Sequence, residues 1–165
     1  MRDEHSNSVF ELLAKPVQKA LATLGFSEPT LPQTLAFPPI LAGKNVLLIA
    51  PTGTGKTEAV LLPVFSKLVT QQEALKGIIV IYITPLRALN RDMLKRLTFW
   101  SQQLGISVEV RHGDTEMKTR RKQARQPPRM LITTPETLQA ILPGSQMRKH
   151  RQIYDAAVAR NRTTW

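Results

Sequence analysis

The sequence predicts an α/β domain, a parallel sheet flanked by helices and built around a phosphate-binding loop. Three observations predict it. Apolar runs of strand length recur at Asn45–Ala50 (NVLLIA), Gly77–Thr84 (GIIVIYIT), Ile106–Arg111 and Met130–Thr133 (MLIT). Stretches with helical spacing of apolar residues lie between them. Between the first run and the next helix stands Ala50-Pro51-Thr52-Gly53-Thr54-Gly55-Lys56-Thr57. Strands that alternate with helices imply parallel pairing, because a parallel partner needs a crossover to reach it.

The elements follow in order. From Val9 to Gly25, apolar residues fall at Val9, Leu12, Leu13, Val17, Ala20, Leu21 and Leu24. That spacing is helical, and Pro16 either kinks the helix or divides it in two. Gly25 is a stop signal. Phe26–Pro32 (FSEPTLP) reads as a proline-punctuated loop, and Gln33–Ala42 as a short helix strained by Pro38-Pro39. Asn45–Ala50 reads as a buried strand that enters the glycine loop, and Lys56–Val69 as the helix that leaves it. Gly77–Thr84, rich in β-branched residues, reads as a buried parallel strand. Leu86–Leu104 reads as a helix ending at Gly105, Ile106–Arg111 as a third strand and Met130–Thr133 as a fourth. Pro135–Leu142 reads as a helix ending at Pro143-Gly144, and Arg148–Trp165 carries no such pattern.

Composition narrows the function. The 165 residues are enough for one domain with a real core and too few for two large ones. With aromatics at 5%, Leu, Ile, Val and Ala must build that core. Charges or prolines interrupt every apolar run before membrane-spanning length, so no membrane is expected. The opening MRDEHSNSVF is too polar for a secretory signal. Cysteine is absent, which excludes disulfides and thiolate metal sites and is compatible with the expected cytoplasmic location. His5, His112 and His150 stand far apart, so no metal site is expected beyond a nucleotide's Mg²⁺. The net charge of +11 is concentrated late in the chain. Residues 1–116 carry 12 basic and 10 acidic side chains, whereas residues 117–165 carry 11 basic and 2 acidic. Such a field attracts polyanions, although a solvated basic face would have the same composition.

The 50–57 loop is the most specific signal. Gly53 and Gly55 can take backbone conformations that other residues resist. Successive N–H groups then turn inward to cradle phosphate oxygens, and the following helix adds its dipole. Thr52, Gly53, Thr54, Gly55, Lys56 and Thr57 are the expected ATP-binding residues. Lys56 would reach the β- and γ-phosphates, and the Thr57 hydroxyl would hold Mg²⁺. Ala50 stands where the strict pattern has glycine.

The neighbouring residues resemble one family. Gly25-Phe26-Ser27-Glu28-Pro29-Thr30-Leu31-Pro32-Gln33 resembles the Q motif of superfamily 2 helicases. Thr84-Pro85-Leu86-Arg87-Ala88-Leu89-Asn90 resembles motif Ia, Thr133-Thr134-Pro135-Glu136-Thr137 matches motif Ib, and Arg111-His112-Gly113-Asp114-Thr115 resembles a further loop of the group. Each is weak alone: Thr-Pro-Glu before an apolar run is by default a helix cap. The wording GFSEPTLPQ, TPLRALNRDM, RHGDT and TTPETL is most similar to the large-helicase-related (Lhr-type) helicases and less similar to typical DEAD-box RNA helicases.

The resemblance implies a RecA-like domain, the first of the two in a helicase motor, incomplete at the C-terminus. It places a partial RecA-like domain at residues 1–147, with a Q-motif region at 9–43, and leaves residues 148–165 as a basic tail. It implies that Gln33 reads the adenine edge and Phe26 packs on the base. An amide suits adenine because it both donates and accepts. It implies that Pro85, Arg87, Gly113, Asp114, Thr134, Pro135 and Glu136 line a DNA- or RNA-backbone face. The family's hydrolytic Asp-Glu pair is expected after motif Ib, where RQIYDAAVARNRTTW carries none. The Asp3-Glu4-His5 letters precede the loop and lie on no predicted strand. The second RecA-like domain is also missing, so ATP binding without unwinding is expected of this chain alone. Two readings stand beside this one. A standalone basic nucleic-acid-binding protein would carry a vestigial ATP site. A small P-loop kinase would need an acceptor site with a nearby base, for which no candidate is found.

Overall fold

The computed structural model describes residues 8–71, 77–85 and 91–142, and the backbone of 155–158. The chain divides into two compact units, Met1–Gln71 and Gln72–Trp165.

The described part of the first unit is helical. A 3-10 turn at Val9–Leu12 precedes α1 (Lys15–Thr23), and Pro16 sits in the first turn of α1, where its missing N–H costs nothing. Proline therefore divides the Val9–Gly25 stretch rather than kinking it. Gly25, at φ 74°, ends the stretch. Helix α2 (Leu31–Leu41) carries Pro38 and Pro39 in its last turn, so the N–H donors they lack are lost at the helix end and not in its middle. Helix α3 (Lys56–Thr70) packs against α1 and α2. The core of this unit includes Val17, Leu21, Phe37, Leu62 and Phe65, all almost fully buried. Phe10 and Phe37 meet with ring centroids 6.1 Å apart. Ser66 of α3 accepts the Ala14 N–H at 2.7 Å, which ties the start of α1 to α3.

One expectation fails in this unit. Residues Asn45–Ala50 form no strand, and Leu47 and Ile49 are 85% and 84% exposed. The physical reason is the lack of a partner: a strand exists through its hydrogen-bonded neighbour, and the described residues of this unit contain no other strand.

The second unit holds a four-stranded parallel sheet in the order β2-β3-β1-β4, made of β1 (Val80–Ile83), β2 (Val108–Arg111), β3 (Met130–Thr133) and β4 (Asp155–Val158). Strand β4 lies in the stretch read as pattern-free, and it pairs along β1 with Val80 opposite Asp155. On one face Ile81 and Leu131 join Ile78, with Ile83 and the Leu138 and Ile141 side chains of α6 (Pro135–Ile141) packed against them. Helix α4 (Arg91–Leu104) buries Leu97, Trp100 and Leu104, one stripe at helical spacing. Helix α5 (Met117–Arg125) carries a basic run, Lys118, Arg120, Arg121, Lys122 and Arg125.

Candidate functional site

In the first unit the loop has the shape its glycines allow. Gly53 and Gly55 sit at φ 81° and 80°, in the left-handed region that other residues avoid. Lys56 is the first residue of α3, so the helix N-terminus opens onto the loop. The Lys56 ammonium folds back over its own loop, donating to the Ala50 carbonyl at 2.7 Å and to that of Pro51. Thr54 Oγ1 donates to the same Pro51 carbonyl at 2.8 Å. Thr52 and Gly53 are exposed, whereas Lys56 and Thr57 are half-buried.

Gln33 is buried and occupies the first turn of α2, where its Oε1 accepts the Thr30 N–H at 3.0 Å. Gln33 also reaches the loop: a Cβ at Gly55 would meet its Nε2 at 3.0 Å and Thr30 Oγ1 at 3.3 Å. The upstream motif and the 50–57 loop are therefore in contact. Phe26 follows Gly25 and is 37% exposed, unusual for a ring with a core available to it.

In the second unit the other expected residues gather at the carboxyl edge of the sheet. Register pairs Ile83 with Thr133, and Thr133 with Arg111, so the three strands end level. Thr84 extends the ladder by donating its N–H to Thr133 O at 3.0 Å. Pro85, Gly113, Asp114, Pro135 and Glu136 are exposed beyond these ends. Thr134 is buried and caps α6, its Oγ1 accepting the Thr137 N–H at 3.3 Å. Ligands of open parallel sheets bind beyond the carboxyl ends of the strands. Arg87 lies outside the described residues.

Sequence reasoning missed Arg120. Its guanidinium holds the carbonyls of His112, Gly113 and Thr115. Its only linear signal was membership of a basic run, which does not separate it from its solvated neighbours. Burial pulls the Arg111 guanidinium below its ordinary pKa, and the charge of Arg120 acts in the same direction.

Comparison with known proteins decides the family. A model of the DEAD/DEAH box helicase family matches residues 30–158. The chain belongs to that family. It is 42% identical over 119 residues to the ATP-dependent helicase Lhr-Core of Sulfolobus acidocaldarius, covering 66% of this chain and 14% of that protein. To Lhr-Core of Methanocaldococcus jannaschii it is 34% identical over 154 residues, covering 84% and 18%. The helicase Lhr of Mycobacterium smegmatis, solved with single-stranded DNA and AMP-PNP, superposes with a TM-score of 0.80 at 31% identity, covering 92% of this chain and 20% of that one. This helicase-family domain is thus of the Lhr type and RecA-like in fold. It spans between a seventh and a fifth of the length of these relatives. No helix among the described residues is long and apolar enough to cross a membrane.

Proposed function

We propose that this domain binds ATP with Mg²⁺ and grips a nucleic-acid backbone, as the first RecA-like part of a cytoplasmic ATP-dependent DNA or RNA helicase. The observation that carries the reading is the 50–57 loop, with two left-handed glycines, Lys56 opening α3, and Gln33 packed on Gly55.

The donor set fits a triphosphate. Backbone N–H groups, the helix N-terminus and the Lys56 ammonium are all positive in character, as phosphate oxygens require. The carbonyls now holding Lys56 mark it as a cation within reach of the loop interior. The Thr57 hydroxyl is a hard oxygen suited to Mg²⁺. When bound, the metal neutralises charge between the phosphates. Gln33 and Phe26 would hold the adenine, the amide by its two polar atoms and the ring by stacking. Pro85, Arg87, Gly113, Asp114, Thr134, Pro135 and Glu136 would follow the nucleic-acid backbone along the sheet edge.

Turnover needs a metal-holding Asp and a water-positioning Glu. Downstream of the loop these residues contain no adjacent Asp-Glu pair, and β4 reads Asp155-Ala156-Ala157-Val158. The chain by itself therefore holds ATP without hydrolysing it.

The test is a titration with a fluorescent ATP analogue, alongside Lys56→Ala and with steady-state hydrolysis measured with and without single-stranded DNA or RNA. Binding that depends on Lys56 without turnover supports the reading. Equal affinity in the variant sinks the loop assignment. Tight, salt-sensitive nucleic-acid binding by a chain indifferent to ATP would favour the basic-protein reading instead.

A further inference from the structure

We infer that Arg120 is a positioning residue, which holds the turn at residues 112–115 so that the Gly113 N–H is presented outward as a donor for a phosphate oxygen. The role assigned to that N–H rests on reading the carboxyl edge of the sheet as a nucleic-acid face.

One planar group grips most of the turn. Arg120 Nε donates to Thr115 O at 2.7 Å, and Nη2 donates to His112 O at 3.4 Å and to Gly113 O. All three bonds go to carbonyl oxygens, and the guanidinium shares its surroundings with that of Arg111. Among the described residues its bonds go to carbonyls alone, so this cation beside another cation acts by geometry rather than by ion pairing. The same face of α5 continues the grip three residues on. Gln123 is buried, and its Nε2 donates to Val110 O at 3.0 Å, near the end of edge strand β2. Thr115 closes the turn from within, its Oγ1 accepting the His112 N–H at 2.8 Å and its N–H donating to His112 O at 3.1 Å.

Peptide geometry supplies the consequence. In a trans peptide the N–H points opposite to the C=O, and the described chain has no cis bond. With the His112 and Gly113 carbonyls turned toward Arg120, the N–H groups of Gly113 and Asp114 face the other way. That of Asp114 is directed to His112 Nδ1 at 3.3 Å. That of Gly113 is left pointing outward from an exposed residue, and a Cβ there would meet nothing within 4 Å. Backbone N–H groups are common phosphate contacts, and they fix register rather than sequence. Exposure separates Arg120 from its run: it is half-buried, whereas Lys118, Arg121, Lys122 and Arg125 are exposed.

Arg120→Lys and Arg120→Gln test this in the 165-residue chain, with Lys95→Gln at an exposed position of α4 as a charge-matched control. Lysine keeps the charge but lacks the rigid fork that spans several carbonyls. Both Arg120 variants are expected to raise amide hydrogen exchange at His112 and Thr115, the bonded amides of the turn, at least tenfold, with β3 amides unchanged. Both are expected to weaken binding of a single-stranded oligonucleotide at least fivefold, and Lys95→Gln less than twofold. Wild-type affinity in Arg120→Lys with loss in Arg120→Gln would mean a direct charge contact and overturn the inference. Unchanged exchange at both amides would overturn it as well. If the Arg120 variants fail to fold, Thr115→Val removes the inner staple and must raise exchange at His112; no rise overturns the inference. A wild-type chain that binds no nucleic acid would overturn the nucleic-acid reading but leave Arg120's hold on the turn to the exchange measurement, which needs only the free protein.

Discussion

The side-chain amide of Gln33 lies against the Cα of Gly55, so close that a methyl group there would stand 3.0 Å from Gln33 Nε2. The helix start that carries the upstream motif thereby touches the loop expected to hold phosphate. Gly53 has nearly the same backbone angle and open space around it. This contrast makes a clean test. Gly53→Ala should cost only left-handed strain, about 1 kcal/mol. Gly55→Ala should cost that and about 1–3 kcal/mol more, because the new methyl must displace a buried side chain. Urea unfolding of the pair checks it. Equal losses would mean that the Gln33 contact carries no constraint.

Lys56→Ala should remove the ammonium that bridges the Ala50 and Pro51 carbonyls and weaken ATP-analogue binding at least tenfold, with little change in stability. Lys56→Arg should not rescue it, since a planar guanidinium does not replace a compact point charge inside a narrow loop. Calorimetric titration of both variants decides this. An Arg variant that binds like the wild type would contradict the geometry proposed for the loop.

Thr134 caps α6 through its hydroxyl, so Thr134→Ala should lose about 1 kcal/mol. Thr134→Ser keeps the oxygen and should recover most of it. Because the capped residue stands at the proposed nucleic-acid edge, oligonucleotide affinity should fall with Ala and return with Ser. Affinity lost in both variants would point to the methyl group rather than the cap.

Phe37 is fully buried and meets Phe10, and its truncation to Ala should cost about 3–5 kcal/mol. Against a typical total stability of about 5–15 kcal/mol, that is enough to lower the melting temperature by many degrees. A loss below about 1 kcal/mol by thermal denaturation would show that the helical unit relaxes around the cavity.

Much of the fold was legible because its signals are local. Strand β3 falls at Met130–Thr133 as the apolar run implied. Helix α3 begins at Lys56, where a glycine of left-handed backbone hands the chain to helix-forming residues. Gly25 at the close of α1 was equally readable, whereas Pro16 left a kink and a division both open until the structure put it in the first turn of α1. Each depends on one residue's own backbone preference or on short-range periodicity. The loop and the family motifs belong to the same class of signal.

What the sequence by itself determined is therefore helices α1 to α4 and α6, strands β1 to β3, and the helicase kinship. Tertiary structure decided which runs became strands and which side chains reach the site. NVLLIA has every local mark of a strand yet stays unladdered and exposed, since pairing belongs to the neighbour and not to the run. Asp155–Val158 has no periodic signal yet lies along β1, because four residues suffice when a strand beside them offers its backbone. Arg120 sat in a charge run until the fold turned three carbonyls toward it. Local preference is written residue by residue, whereas hydrogen-bond partners across a sheet or a turn are chosen only once the chain has closed on itself.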